Sequence, residues 1–220
     1  MDKRIKVDFH CHSSYSPDSI NELPELIRLA KKRGLDRLVI TDHNCLRGAL
    51  AAKNMDPDFI IVGEEIMTDR GEILAAFVQK EIPRGLEPKK VIGMLREQGA
   101  FISVSHPFDP HRGWKKADLM EIKDQVDAVE IFNGRCNRDV YNQTAVDFAK
   151  EFGLGGTAGS DAHIPHEVGK VGLVMPDFND GEGLKIAARN GVVEGKLAPG
   201  WVHIISGTKH KIFRWVNPKK

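Results

Sequence analysis

Asp8-Phe9-His10-Cys11-His12-Ser13 is the stretch that decides the fold of this 220-residue chain. Residues 5 to 9 alternate apolar and polar side chains, and a period of two predicts a strand. Side chains two positions apart on a strand point to the same face, so we expect His10 and His12 to leave the strand end together. Two converging imidazoles are what a divalent metal site requires, whereas Cys11 points to the opposite face and is expected in the wall.

The composition is that of one ordinary globular core without a strong charge preference. A chain of 220 residues is too short for two ordinary enzymatic domains. The formal net charge is +1, which excludes a strong global attraction to nucleic acid or membranes. Three cysteines, an odd and sparse set, argue against a disulfide framework. We find no signal-peptide core and no apolar run that could span a bilayer, so we expect a cytoplasmic protein without a membrane partner.

Strand and helix signals alternate along the chain. Apolar runs predict strands at residues 5–9, 38–40, 59–62, 73–78, 101–104, 128–132, 156–160 and 171–174. Amphipathic or capped segments predict helices at residues 22–33, 88–98, 138–151 and 183–189. Repeated β-then-α order predicts a parallel sheet. Polar side chains follow six of the strands, which favours a small or distorted α/β barrel over an open sheet.

The chain is expected to form one domain over residues 1–220. The motif-bearing barrel covers about residues 5–175, and residues 176–220 form a C-terminal helix and a tail. From Trp201 to Lys220 the tail interleaves basic and aromatic residues, a composition found in nucleic-acid binding segments. A terminal strand with a solvated end has the same composition, and we favour that interpretation.

Eight histidine, aspartate and glutamate side chains at the strand ends are the candidate metal ligands: His10, His12, Asp18, His43, Glu65, His106, Asp161 and His163. Nitrogen and carboxylate donors without thiolates suit Zn²⁺, Mn²⁺, Fe²⁺ or Mg²⁺ rather than a structural zinc site. More than four ligands predict two to three ions, with Glu65 available as a bridge. Paired ions are suited to in-line displacement at phosphorus.

The motifs around these residues resemble the PHP (polymerase and histidinol phosphatase) family. They are Asp8-Phe9-His10-Cys11-His12-Ser13, Ser16-Pro17-Asp18, Thr41-Asp42-His43-Asn44, Gly63-Glu64-Glu65, Ser105-His106-Pro107 and Gly159-Ser160-Asp161-Ala162-His163. The resemblance runs in order from about residue 5 to 175. It implies a distorted barrel of seven βα units, of the (β/α)7 type, that holds up to three metals at the C-terminal strand ends.

The resemblance also implies how the ligands are divided. One ion would be held by His10, His12, Glu65 and Asp161, a second by Asp18, His43 and His163, and a third by Glu65 and His106. Many members supply a further histidine to the third ion, but residues 70–77 contain none. Either Glu72 replaces it, or Glu72 caps a turn facing solvent and the third site is weak or empty. Asp42 is expected to orient an imidazole, and His166 to lie at the mouth of the pocket.

The ligand set predicts a metal-dependent phosphoesterase in which a hydroxide bridging two metals attacks phosphorus, with Asp161 and His163 in the catalytic centre. The expected substrate is a phosphomonoester or small nucleotide, including a nucleoside bisphosphate or oligonucleotide. An amidohydrolase-type metal hydrolase is the alternative within the same fold. A non-catalytic nucleic-acid-binding or regulatory module is the alternative from another class, and the oligomeric state stays open.

A phosphate-binding cation is expected beside the ligands, because metals do not occupy every phosphate oxygen. Arg135 follows the strand at 128–132 and Gly134, and we expect it to bind phosphate at the rim and to be catalytic. Arg112, with Lys115 and Lys116, is the alternative donor on the loop after Pro107.

Overall fold

The computed structural model describes residues 3–202. Within that range the chain forms nine strands, β1 (Arg4–Asp8), β2 (Arg37–Ile40), β3 (Ile60–Met67), β4 (Glu72–Ala76), β5 (Phe101–Val104), β6 (Ala128–Asn133), β7 (Gly155–Gly159), β8 (Val171–Pro176) and β9 (Val192–Gly195). The same residues form six helices, α1 (Leu23–Lys32), α2 (Arg47–Met55), α3 (Pro88–Glu97), α4 (Lys116–Ile122), α5 (Asp139–Phe152) and α6 (Gly181–Ala188). All predicted strands and helices are present, and β3 differs most in length.

The strands form one curled sheet in the order β7-β6-β5-β4-β3-β2-β1-β8-β9. At its end, β7 reaches the carboxyl end of β1, where Phe9 N donates to Ala158 O at 3.1 Å and Asp161 N donates to His10 O at 2.7 Å. Gly159 permits this approach, because a Cβ there would collide with His10. The contact nearly closes the sheet, so the predicted distorted α/β barrel is confirmed.

The sheet is mixed, and the expectation of a parallel sheet is therefore corrected. β4 runs antiparallel to β3 and β5, and β8 runs antiparallel to β1 and β9. The β3–β4 connection is a short turn at residues 68–71 in which Thr68 N donates to Gly71 O, whereas a parallel pair needs a crossover of about a dozen residues or more. The other neighbouring strands are parallel, which keeps their carboxyl ends at one edge.

Three observed elements, α2, α4 and β9, are absent from the sequence prediction. The buried face of α2 consists of small residues, Gly48, Ala49 and Ala52, so its apolar periodicity is weak. A Cβ at Gly48 would collide with the side chains of Asp42 and Ser13. α2 therefore packs directly against the loops that follow β1 and β2.

Helices α1 to α5 pack on the sheet in two apolar clusters, and α6 packs on it through Leu184 in a third. α1 and α2 pack on β2 and β3 through residues such as Leu26, Leu38 and Ile60. α3, α4 and α5 pack on the strands from β3 to β6 through residues such as Leu95 and Ile102. This packing fixes the strands whose carboxyl ends carry the polar side chains.

No helix among residues 3–202 is long and apolar enough to cross a membrane. The basic and aromatic tail predicted from Trp201 onward lies outside the described residues from position 203 to 220.

Candidate metal centre

The first predicted ligand group is brought together at the carboxyl ends of β1, β3 and β7. His10 Nε2 and His12 Nε2 are 3.0 Å apart, and Glu65 Oε2 lies 3.2 Å from the first and 3.4 Å from the second. Asp161 Oδ1 lies 3.5 Å from His10 Nε2 and 3.4 Å from His12 Nε2. All four side chains are buried, so their donor atoms face one another rather than solvent.

The second group adjoins the first through His12. Asp18 Oδ2 lies 3.2 Å from His163 Nε2 and 3.5 Å from His43 Nε2. The ring of His12 is 4.2 Å from that of His163 and 4.4 Å from that of His43, measured between centroids. His163 Nδ1 lies 2.7 Å from Asp161 O and donates to it, which leaves Nε2 free to face Asp18.

The third group contains Glu72 in addition to the two predicted residues. His106 Nε2 lies 3.4 Å from Glu65 Oε1 and 3.3 Å from Glu72 Oε2. Glu72 Oε1 is also 3.6 Å from His43 Nδ1. Glu72 is 6% exposed and faces the group, so this geometry agrees with replacement of the additional histidine and disagrees with a solvent-facing turn cap.

The donor atoms fit divalent cations. Ligand bonds of about 2.0–2.1 Å place the corners of a tetrahedron roughly 3.4 Å apart, and the donor atoms of the first group are 3.0–3.5 Å apart. Within residues 3–202, buried Glu65 Oε2 and Asp18 Oδ1 accept no hydrogen bond. Unsatisfied buried carboxylate oxygens are costly unless a cation compensates them. The residues present therefore fit the metal ions that the sequence predicts.

Electrostatics favour an ionised Glu65 and a neutral His12. Burial alone would raise the pKa of Glu65, but His10 and His43 hold the pKa of this carboxyl well below its usual range. Burial and the neighbouring His163 lower the pKa of His12 to about 3. An ionised carboxylate and a neutral imidazole are the forms in which these side chains act as ligands. At His10 burial opposes protonation, but Glu65 and Asp161 raise the pKa of this imidazole well above its usual range, so His10 would release a proton on binding a metal.

Two candidate ligands have left-handed backbone conformations. Asp161 has φ +53° and His106 has φ +24°. Such conformations cost on the order of 1–3 kcal/mol for residues other than glycine and concentrate at functional sites. Hydrogen bonds hold both backbones, since Asp161 N donates to His10 O and His106 N donates to Glu130 Oε2. The fold thus maintains backbone strain at two residues whose side chains are candidate metal ligands.

Glu130 is a buried carboxylate whose contacts with two candidate ligands the sequence pattern does not predict. It lies in the middle of β6, is 1% exposed, and its Oε1 accepts a hydrogen bond from His10 Nδ1 at 3.0 Å. This contact directs His10 Nε2 toward Glu65. Oε2 of Glu130 accepts from His106 N at 2.8 Å and from Asn133 Nδ2 at 3.0 Å. A single buried carboxylate therefore orients ligands of two groups.

Asp42 lies behind the imidazole of His12, separated from it by Ser16. Its Oδ1 accepts hydrogen bonds from Ser13 N at 2.7 Å and from Ser16 Oγ at 2.9 Å. Ser16 Oγ in turn is 3.2 Å from His12 Nδ1 and accepts from His43 N at 3.0 Å. Asp42 thus positions two ligands through Ser16.

Asp8, at the start of the first motif, joins β1 to the turn after β7. Its Oδ1 accepts from His10 N at 3.2 Å and from Ser160 N at 2.9 Å, and its Oδ2 accepts from Ser160 Oγ at 2.5 Å. Burial raises the pKa of Asp8 to about 6, against the opposing effect of these hydrogen bonds. The carboxyl therefore fixes the two strand ends that carry His10 and Asp161.

Arg112, the alternative phosphate donor, lies against a candidate ligand. Its Nη1 donates to Asp161 Oδ2 at 2.5 Å, and its Nη2 donates to Asp109 Oδ2 at 3.1 Å. Asn133 Nδ2 also donates to Asp161 Oδ2, at 3.2 Å. The Arg112 side chain is 33% exposed, so it is partly accessible at the edge of the ligand groups.

Arg135 does not have the position expected of a phosphate-binding residue at the rim. It is 6% exposed, and its Nε lies 3.2 Å from Glu167 Oε1. Glu167 Oε2 accepts hydrogen bonds from His163 N at 2.9 Å and Ile164 N at 3.2 Å. The buried carboxylate of Glu167 attracts the guanidinium, so Arg135 supports the turn that carries His163.

Arg135→Ala is therefore expected to destabilise the protein. Removing one partner of a buried ion pair leaves the charge of Glu167 uncompensated and costs about 3–5 kcal/mol of unfolding free energy. Urea unfolding of the metal-free protein measures this loss. The double variant Arg135→Ala, Glu167→Gln should recover part of it, and an unchanged unfolding midpoint in Arg135→Ala would reject the structural role.

Glu72→Gln is expected to remove the third ion and leave the other two. The change keeps the size of the side chain but removes the anionic charge beside His106 and Glu65. Elemental analysis after loading with Mn²⁺ should show one ion fewer per chain than in the wild-type protein. Glu87→Gln is the control, since Glu87 is exposed, and equal metal content in all three proteins would contradict the role of Glu72.

His166 lies outside the ligand groups. It is exposed, its ring centroid is 4.9 Å from that of Trp201, and its Nε2 is 2.5 Å from Lys170 Nζ. The contacts place it on the turn after Asp161 and His163.

Comparisons with known proteins agree with this arrangement. The family model described as PHP domain matches residues 8–91, and the model described as PHP-associated matches residues 140–192. An uncharacterized protein of Methanocaldococcus jannaschii is 34% identical over 159 residues, which cover 65% of this chain and 90% of that protein. A probable phosphatase of Caldicellulosiruptor bescii is 22% identical over 205 residues, covering 78% of this chain and 85% of the relative.

A solved structure has the same fold. It is a two-domain protein from Bacteroides vulgatus described as containing a predicted PHP-like metal-dependent phosphoesterase. The TM-score is 0.73 at 18% identity, and the similarity covers 94% of this chain and 70% of that chain. The fold and the residues at its strand ends thus define a barrel protein of the PHP-like class. The chain belongs to the PHP family.

Proposed function

We propose that this protein is a metal-dependent phosphoesterase that hydrolyses a phosphomonoester or a small nucleotide, such as a nucleoside bisphosphate or an oligonucleotide. The observation that carries the proposal is the set of three adjoining ligand groups around Glu65, whose two oxygens face His10, His43 and His106. Divalent cations held there would activate water and offset the charge of a phosphate undergoing in-line displacement. The relative described as a probable phosphatase supports the same reaction class.

The protein residues in this proposal hold and orient the reacting groups. Asp161 and His163 act as ligands from one turn, and Glu130 keeps Nε2 of His10 pointed at Glu65. Arg112 holds Asp161, and its partly accessible side chain is the cation that binds phosphate oxygens. The donor set suits Zn²⁺, Mn²⁺, Fe²⁺ or Mg²⁺, and Glu72 makes the third group better suited to Mn²⁺ or Mg²⁺ than to Zn²⁺. The small phosphorylated partner and the cytoplasmic location stay predictions.

A metal-dependent substrate screen tests the proposed function. The purified protein is depleted of metal, reloaded with Mn²⁺, Zn²⁺, Fe²⁺ or Mg²⁺, and assayed against phosphomonoesters, nucleotides and amide substrates in parallel. We expect phosphate release from at least one ester and none from the depleted protein. Turnover that persists in a chelator, or amide cleavage without ester cleavage, would overturn the proposal.

Arg112→Ala is expected to lower kcat/KM by tens- to several-hundred-fold. Loss of a charge-assisted contact that tightens in the transition state costs about 2–4 kcal/mol. Metal content should be retained, because the donor atoms of the first group remain in place. Arg70→Ala is the control, as Arg70 forms ion pairs with Asp118 and Glu121 on the outer surface. Wild-type kinetics in Arg112→Ala would show that phosphate is bound elsewhere.

A further inference from the structure

A cavity of about 490 Å³ lies at the same end of the barrel as the ligand groups. Its lining includes Gly134 and Ser160, which directly follow β6 and β7. Ser160 precedes Asp161, and Glu167 in the cavity wall accepts a hydrogen bond from His163 N at 2.9 Å. The cavity is therefore adjacent to the turn that carries two candidate ligands.

The walls of the cavity are largely apolar. The segment after β9 contributes Leu197, Ala198 and Pro199, and Val171 at the start of β8 contributes another wall. Ala198 N donates to Gly134 O at 2.7 Å, which fixes the segment across the cavity. A concave, mostly apolar space of this size with a few polar groups is typical of sites for small organic molecules.

Positive charges line the opening. Lys170 and Lys196 both contribute to the lining and are exposed. The carboxylate of Glu167 offsets them only in part, because its Oε1 also lies 3.2 Å from Arg135 Nε. His166 adds an aromatic surface, with its ring packed against Trp201. The opening thus favours an anionic group beside a ring.

We propose that this cavity binds the organic part of the substrate, and that this part carries an aromatic or heterocyclic ring and a second negative charge. The inference rests on the proposed phosphoesterase function, because the scissile phosphate would then lie at the ligand groups beside the cavity. The ring contacts the apolar walls formed by Val171 and residues 197–199. Lys170 and Lys196 bind the second anion.

A variant in which a larger side chain fills the cavity tests whether the cavity binds the ring of the substrate. Ala198→Phe occupies the space while retaining the backbone N–H that bonds Gly134, and Ala117→Phe on the exposed face of α4 is the matched control. We expect Ala198→Phe to lower kcat/KM for 4-carboxyphenyl phosphate by at least roughly tenfold through KM, because ring burial is lost. Methyl phosphate, which has no ring, should be hydrolysed at the wild-type rate. Equal losses for both esters, or none for either, would overturn the inference.

A variant without the two lysine charges tests whether Lys170 and Lys196 bind the second negative charge of the substrate. Lys170→Met combined with Lys196→Met should raise KM for 4-carboxyphenyl phosphate by about tenfold and leave KM for phenyl phosphate unchanged. Equal effects on the two esters would reject the anion contact.

Calorimetric binding separates failure of the cavity from failure of the proposed function. The probe is 4-carboxybenzylphosphonate, which is not a phosphate ester, titrated into the metal-loaded protein. Its Kd should weaken at least roughly tenfold in Ala198→Phe and remain unchanged in Ala117→Phe. If no ester is hydrolysed, the phosphoesterase proposal fails, and the calorimetric comparison still decides whether the cavity binds the ring. An equal Kd in wild type and Ala198→Phe rejects the cavity site.

Discussion

Glu65→Gln is expected to abolish turnover and to remove more than one metal ion. Glu65 Oε2 lies within 3.4 Å of His10, His12 and His43, and Oε1 lies 3.4 Å from His106. Its two carboxylate oxygens thus face all three ligand groups. A neutral amide of the same size places an N–H₂ group or a weaker oxygen donor among these nitrogens. We expect kcat/KM to fall by at least about 10³-fold, or roughly 4 kcal/mol of transition-state stabilisation.

The neighbouring residue provides a matched control for this change. Glu64 lies on the opposite face of β3, is fully buried, and its Oε2 accepts a hydrogen bond from Ile82 N. Burial raises the pKa of Glu64 to about 8, so the carboxyl is mainly protonated at pH 7 and glutamine resembles it closely. Glu64→Gln should keep metal content and activity. Full metal content in Glu65→Gln would show that the groups do not share this carboxylate.

The candidate ligands are predictable from the sequence for a physical reason. Parallel strands align their carboxyl ends, so polar residues that directly follow apolar runs converge without knowledge of the loops. The alternation of side chains in β1 is sufficient to predict that His10 and His12 lie on the same face. The turn carrying Asp161 and His163 then meets this strand end because β7 closes the sheet onto β1.

Residues that act through tertiary contacts were harder to predict. Glu130 is a single charge inside the apolar run of β6, and the sequence pattern does not show that it faces His10 and His106. The direction of Arg135 depends on the buried carboxylate of Glu167, which lies on another turn. Arg112 reaches Asp161 only through the conformation of the loop after β5. The contacts of Arg135 and Arg112 depend on loop geometry, and those of Glu130 depend on how the strands are arranged in the sheet. Local sequence patterns determine neither.

Asp161→Asn is expected to remove the ion of the first group and nearly all activity. Asp161 Oδ1 faces His10 and His12, while Oδ2 accepts hydrogen bonds from Arg112 and Asn133. An amide has one oxygen, so one of these two sides must face N–H₂ instead. If the amide nitrogen faces Arg112, two donors oppose each other; if it faces the histidines, an oxygen ligand is lost. Both orientations weaken the first group.

Asparagine is also the substitution that removes the charge of Asp161 without disturbing the backbone conformation at this position. At φ +53° most residues are strained, whereas asparagine tolerates the left-handed region at least as well as aspartate. Asp161→Asn should therefore fold like the wild-type protein and lose about 10³-fold or more in kcat/KM. Elemental analysis should show one ion fewer per chain, and Asp124→Asn at an exposed position is the control for the chemical change. An Asp161→Asn protein with full metal content and more than about one tenth of wild-type activity would mean that the first group is not the catalytic centre.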